Sequence, residues 1–305
     1  MQKKVYIIIL NWNTWKDTIE CLASVFKSKY MNYCVVVCDN NSQNDSFLRI
    51  KEWLNTEPYG NEKATLIQTG ANLGYAGGNN VGLRYALKKG DGDYFWILNN
   101  DTVIDEFALE ELVEYAAIHG EAGIIGSKIM NYYARDKVES LGCWYNKLLG
   151  TTGNFTDINN IGAIDHITGA SLFLTKELLH NIGLLSEEYF LYYEEPDIAY
   201  RAGMQHYKCQ CAFGSIVYHK EGASIGASNH NKNQKSIIGD FYSIRSRILF
   251  TKKFHKWCLP TLYLGLLGAM INRLKRKQYD RVIMIGYIMF NQQQNFEDFK
   301  NRTGR

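Results

Sequence analysis

The sequence predicts an α/β protein with a doubly wound, mostly parallel sheet, followed by a basic helical extension. Two patterns predict it. Six-residue apolar runs alternate with helix-length segments through the first 119 residues, and a strand apolar on both faces belongs in a parallel sheet covered on both sides. Beyond residue 239 the alternation stops and the pattern turns helical and positively charged. With 305 residues, 46% hydrophobic and 21% charged, the chain has the apolar material for a full core and lacks the composition of a disordered one.

The runs VYIIIL (5–10), YCVVVC (33–38), ATLIQT (64–69) and YFWILN (94–99) read as the parallel strands. Segments 16–28, 46–55, 78–89 and 107–119 read as the helices between them. Residues 120–235 change character. IIGSKIM (124–130), HITGASLFL (166–174) and CQCAFGSIVYH (209–219) read as strands of a smaller mixed sheet, with helices at 176–182 and 196–203. The run WCLPTLYLGLLGAMIN (257–272) is uncharged but falls short of the about 20 residues that a bilayer span needs, so it reads as interfacial or packed. Residues 291–305 read as a loose tail.

Net charge is +3, which gives no reason to expect a nucleic-acid partner. Its distribution is uneven. The stretch between Asp240 and Asp280 holds nine basic side chains and no acid, a pattern expected to meet an anionic surface such as a membrane face. The seven cysteines are odd in number and form no CxxC, which fits a reducing compartment. The six apolar residues before Asn11 are too few for a signal peptide, so the expected location is cytoplasmic. There is no Gly-Lys-Ser/Thr, no GxGxxG after the first strand and no HExxH, which sets aside P-loop enzymes, dinucleotide-dependent dehydrogenases and zincins.

Ligands of such sheets bind beyond the carboxyl ends of the strands, and here those ends are polar. Asn11 follows strand one, Asp39 strand two, Asn72 to Asn80 strand three and Asp101 strand four. Asp39 is placed to accept the imide N–H of uracil or thymine, or else to close an Asx turn. The Gly/Asn-rich stretch that includes Asn79 opens a helix, where backbone amides attract phosphate; an ordinary loop is the alternative. Asp101 is placed to hold Mg²⁺ or Mn²⁺ beside a diphosphate, or to cap the next helix. In YFLYYEEPDIAYR, Glu194, Glu195 and Asp197 sit among aromatics, a setting that raises a carboxyl pKa and suits a general base. Acids clustered before a helix with Pro196 in its first turn are the alternative. His219 ends a strand and becomes a ligand candidate only if Asp101 holds a metal.

Taken together, VYIIILNWN, VVVCDNNS, NLGYAGGNNVGL, YFWILNNDT, ITGASLFLTKELLHNIGLLSEEYFLYYEEPDIAYRA and IVYHKEGAS resemble, in order, the motifs of glycosyltransferase family 2, and most of all its bacterial rhamnosyltransferase-type members. The resemblance implies a GT-A fold over 1–235, with a nucleotide-binding half at 1–119, an acceptor and catalytic half at 120–235, and an apolar, basic extension at 236–305. It implies an inverting enzyme that uses a dTDP- or UDP-linked sugar. The acceptor would be a glycan hydroxyl on a polyprenyl-diphosphate lipid, reached from the inner face of the plasma membrane. It assigns Asn11, Asp39, Asn72, Asn79 and Asp101 to the nucleotide sugar, Asp101 and His219 to a divalent cation, Glu195 to the catalytic base, and Gly169, Ala170 and Glu194 to the acceptor. Two positions depart from the family's pattern: Asn99 stands where stricter members carry an acid, and Glu195 where Asp is commoner. They leave open an inactive sugar-nucleotide-binding protein of the same fold.

Overall fold

The computed structural model describes residues 2–58, 60–220, 236–291 and 294–303. Residues 221–224 of the IVYHKEGAS motif lie outside them. The first half follows the apolar runs closely. Strands β1 (Val5–Asn11), β2 (Tyr33–Asp39), β3 (Ala64–Gln68) and β4 (Tyr94–Asn99) pair in parallel in the order β3-β2-β1-β4. Helices α1 (Trp15–Val25), α2 (Ser46–Thr56), the short α3 (Gly60–Lys63) and α4 (Gly74–Lys89) connect them.

Beyond β4 the chain adds β5 (Thr102–Ile104), α5 (Ala108–Ile118), β6 (Ala122–Asn131), β7 (Val138–Ser140) and a separate hairpin, β8 (Cys143–Asn146) with β9 (Thr151–Asn154). Then come β10 (Ser171–Thr175), α6 (Lys176–Ile182), α7 (Glu194–Met204) and β11 (Lys208–His219). The main sheet continues β4-β10-β6-β11-β5, with β7 on β6. β10 runs antiparallel to β4 and β6, and β11 parallel to β6. The start of β10 and the ends of β6 and β11 therefore share one rim with the ends of β1, β2 and β4.

Alternation along β1 divides the core. Val5, Ile7 and Ile9 pack with α1, α2 and α5, while Tyr6 and Ile8 pack with α4, α6 and α7. The C-terminal part is α8 (Ile237–Phe254), capped by Ser236 Oγ, then α9 (Leu259–Lys275), α10 (Tyr279–Phe290) and α11 (Phe296–Thr303). Their cluster takes in Phe190, Leu191 and Tyr192 of the preceding half. None of the described helices is long and apolar enough to cross a membrane.

Three expectations are corrected. The strand expected over 166–174 begins only at Ser171. The residues before it form a turn in which Tyr75 Oη donates to the Gly169 carbonyl and Asn99 N to that of Ala170. The loose tail contains α11, because Phe296 and Phe299 supply two buried rings to the α8–α10 cluster. The helix expected from 78 starts at Gly74, so Gly77, Gly78, Asn79 and Asn80 are helical and buried. Its glycines serve close packing: a Cβ at Gly78 would overlap Leu10, and one at Gly82 would lie 2.5 Å from Ile8 Cγ2 and 3.0 Å from Cys38 Sγ. Gly82→Ala therefore forces α4 off β1 and should cost about 1–3 kcal/mol of stability. Denaturant unfolding checks this; an unchanged midpoint would mean that the helix moves without cost.

Candidate active site

Asn11 and Asp39 end adjacent paired strands and bind each other. Asn11 Nδ2 donates to Asp39 Oδ1 at 2.7 Å, and Thr18 Oγ1 donates to Asn11 Oδ1 at 2.8 Å. Asp39 also accepts from Ser42 Oγ at 2.6 Å and Ser42 N at 3.1 Å, the Asx turn weighed above. Both side chains are fully buried. Their strand-end position thus shapes the 39–44 turn, where Asn41 holds a left-handed φ of 58°. Asn40, buried beside them, donates to Asn72 Oδ1 at 3.0 Å and to the Gly74 carbonyl at 3.1 Å, and accepts from Leu73 N. It ties the second strand end to the start of α4. Asn72 itself is exposed. Asn79 lies inside α4, donates back to the Tyr75 carbonyl, and has a buried Oδ1 with no partner among the described residues.

The acids of the 189–201 segment are separated by their partners. Asp197 is fully buried and accepts from Tyr189 Oη at 2.8 Å, Arg201 Nε at 2.6 Å and Lys253 Nζ at 2.8 Å. It is a tie between α7 and α8. Glu194 is 1% exposed, and its Oε1 has no partner among the described residues. Burial, and then the Glu195 charge, push its carboxyl well above the usual range. Glu195, half-buried, reaches across to the rim so closely that a Cβ at Gly169 would overlap its Oε1. Burial raises its pKa too, with the amides of Glu195 and Gly169 pulling the other way. Tyr75 Oη, 2.8 Å from the Gly169 carbonyl, is the third group of this corner. Two adjacent carboxyls with no cation paired to them among the described residues, at a helix N-terminus, are suited to holding and exchanging a proton.

Asp101 and His219 meet because β5 and β11 are antiparallel, with Thr102 opposite His219. His219 Nε2 lies 3.4 Å from Asp101 Oδ1, and its Nδ1 lies 3.6 Å from Glu139 Oε2. Burial works against the imidazolium, but the two carboxylates outweigh it and raise His219 to about 10. Burial likewise raises Asp101, and His219 more than offsets this, so its carboxyl falls below the ordinary value. Asp101 Oδ1 makes no aligned hydrogen bond. Among the described residues no group of three or more His, Cys, Asp and Glu is arranged to hold a metal. The chain offers one carboxylate and one imidazole at this point, too few to hold a cation without further donors from a ligand.

Sequence reasoning passed over Tyr75, Asn40 and Glu139. Tyr75 and Asn40 lie inside the motifs quoted above and were legible as strand-end residues. Glu139 comes from the short β7 and carries no local signal. A cavity of about 630 Å³ runs along α7 between Tyr145, His166, Pro196, Tyr200, Tyr207 and His255. None of the strand-end residues lines it, so the candidate site is the open rim.

The profile of glycosyl transferase family 2 matches residues 6–179. Among curated proteins, the low-salt glycan biosynthesis hexosyltransferase Agl10 of Haloferax volcanii is 24% identical, with 98% of this chain and 92% of that protein covered. The dTDP-rhamnosyl transferase RfbF of Shigella flexneri is 24% identical over 84% of this chain and 82% of its own. The UDP-Glc:alpha-D-GlcNAc-diphosphoundecaprenol beta-1,3-glucosyltransferase WfgD of Escherichia coli is 23% identical over 78% and 86%. Among solved structures, the mannosyltransferase PcManGT of Pyrobaculum calidifontis, in complex with GDP-Man and Mn²⁺, superposes with a TM-score of 0.59 at 14% identity, covering 95% of this chain and 86% of that one. That likeness establishes a shared fold.

The unpaired acids have a measurable signature. Folding raises their pKa values, so the folded chain holds protons that the unfolded chain releases. The stability they allow is present at low pH and is lost as pH rises through the ordinary carboxylate value toward the folded one. Glu194→Gln removes that loss. Its unfolding midpoint should match the parent near about pH 4 and exceed it increasingly toward about pH 8. Thermal unfolding across this range checks it; parallel profiles would mean that Glu194 ionises freely in the fold.

Proposed function

The chain belongs to glycosyl transferase family 2, and we propose that it is an inverting enzyme of cell-surface glycan synthesis. It moves a sugar, rhamnose among the candidates, from a dTDP- or UDP-linked donor to a hydroxyl of a growing glycan on a polyprenyl diphosphate. The observation that carries this reading is Glu195 held against Gly169 on the strand-end rim, with the buried Glu194 next to it in sequence. The rhamnosyl and glucosyl activities of two of these relatives support the donor class, and the diphosphoundecaprenol acceptor of the latter supports the lipid carrier.

Glu195 takes the proton of the acceptor hydroxyl, whose oxygen bonds to the anomeric carbon as the bond to the nucleoside diphosphate breaks. One displacement inverts the configuration through an oxocarbenium-like transition state. A carboxyl pKa raised by burial suits a base that must accept a proton and pass it on. Gly169 and Ala170 form the turn beneath the sugar and acceptor, with Glu194 beside it. Asp39, set by Asn11, serves the base and ribose, and Asn72 and Asn79 flank the donor. Asp101 and His219 are the residues that hold a divalent cation, Mg²⁺ or Mn²⁺. Asp101 Oδ1 and the imidazole 3.4 Å away fit one, provided that His219 gives up its proton. When bound, the ion supplies positive charge to the departing diphosphate.

The test is Glu195→Gln in the full chain. Turnover of whichever sugar nucleotide a panel of UDP-, dTDP- and GDP-sugars identifies should fall about 100-fold or more. Titration with UDP or dTDP should give the parent affinity. Retention of more than about a tenth of the turnover would shift the base to Glu194, because Asp197 is committed to Arg201 and Lys253.

The same reading places the enzyme on the cytoplasmic face of the membrane. Leu264, Leu267, Ile271 and Leu274 form an exposed stripe on α9, Trp257 before it is 95% exposed, and Lys256, Lys275, Arg276 and Lys277 flank it. Apolar groups at the acyl boundary with cations at anionic headgroups make an interfacial segment. The full chain should co-sediment with phosphatidylglycerol vesicles, less so in high salt and little with neutral vesicles. Leu264→Glu with Ile271→Glu should abolish this. Unchanged binding by that variant, or none by the parent, would remove the membrane from the proposal.

A further inference from the structure

The segment that leads into α7 is held in an uncommon conformation. Phe190, Tyr192 and Tyr193 have φ values of 70°, 65° and 74°, left-handed angles that aromatic residues adopt rarely and keep only when the surroundings impose them. The next two residues are Glu194 and Glu195, so the backbone of this run aims both carboxyls.

Two elements grip it. From α4, Tyr75 N donates to the Phe190 carbonyl at 2.8 Å, and Gly74 packs so closely that a Cβ there would overlap the same oxygen. From α8, Arg245 Nη1 donates to the carbonyls of Glu188 and Tyr189, each at 3.1 Å. Ser246 Oγ donates to those of Tyr189 at 3.3 Å and Leu191 at 2.8 Å. Arg245 Nε reaches a further carbonyl, that of Gln294, at 3.0 Å. Arg245 is 8% exposed, and among the described residues all its hydrogen bonds go to main-chain oxygens and none to a carboxylate. A buried guanidinium with no carboxylate hydrogen-bonded to it among the described residues is costly to keep. What the guanidinium gains in return is a multiple hold on main-chain oxygens of the 188–191 run and of Gln294.

We infer that Arg245, assisted by Ser246, is a positioning residue: from α8 it fixes the 188–191 backbone so that the left-handed run presents Glu194 and Glu195 to the acceptor. The inference rests on Glu195 as the base, but it makes a claim about the backbone that can be read without catalysis.

The experiment uses the full chain with Arg245→Met, Arg245→Lys and Ser246→Ala. Arg273→Met serves as control, since it cuts the Asp240 ion pair that joins α8 to α9. By hydrogen exchange, amides 188–195 should lose protection at least tenfold in Arg245→Met, partly recover in Arg245→Lys, and keep parent values in Arg273→Met. With the sugar nucleotide identified by the panel, kcat should fall at least tenfold at unchanged donor KM in Arg245→Met, again with partial rescue by Lys. If Arg245→Met does not fold, Ser246→Ala carries the test with the same directions. Parent-like protection of 188–195, or equal loss in the Arg273→Met control, would overturn the inference. Lost protection with no change in kcat would keep the clamp and remove Glu194 and Glu195 from the chemistry.

Discussion

The approach of Glu195 to Gly169 leaves no room for a side chain at position 169, and the arrangement of the rim follows from that contact. It exists because β10 runs against its neighbours. In a wholly parallel sheet the residues before a strand lie at the end opposite the ligand rim. Reversal of β10 brings the turn at 168–170 to the rim, beside the ends of β4 and β6. Tyr75 then links that turn to α4 through the Gly169 carbonyl, so three elements from distant parts of the sequence converge on one carboxyl.

Around this corner the acids differ by what faces them. Asp197 has a guanidinium, an ammonium and a phenol. Asp101 has an imidazolium that is itself shared with Glu139. Glu194 and Glu195 have each other, with the Glu195 and Gly169 amides beside them. The first is held by three donors, the second shares an imidazolium, and burial raises the carboxyls of the pair.

Much of this was legible in the sequence, where hydrophobicity determines structure. The apolar runs gave the parallel strands within a residue or two, and with them the strand-end positions of Asn11, Asp39 and Asp101. Three features escaped for separate physical reasons. Gly74 and Gly77 lay outside the helix expected from residue 78, yet α4 begins at Gly74, where the lack of a side chain lets it pack against the Phe190 carbonyl. The polar stretch after residue 291 hid two phenylalanines whose burial depends on α8 and α10. The left-handed angles at 190, 192 and 193 are invisible in a sequence, since aromatic residues do not favour them. Arg245 looked like one more positive charge in a basic region, and only its surroundings distinguish it from Lys275 or Lys277, which face water.

The grip of α8 on the 188–191 carbonyls also bears on how relatives of this chain can be recombined. A graft drawn at the end of β11 would carry every strand end and both glutamates, and would look complete by motif. It would leave behind the guanidinium and hydroxyl that hold the backbone in front of α7. A hybrid meant to exchange donor preference should therefore break before α4, so that α4, the 188–193 run and α8 come from one parent.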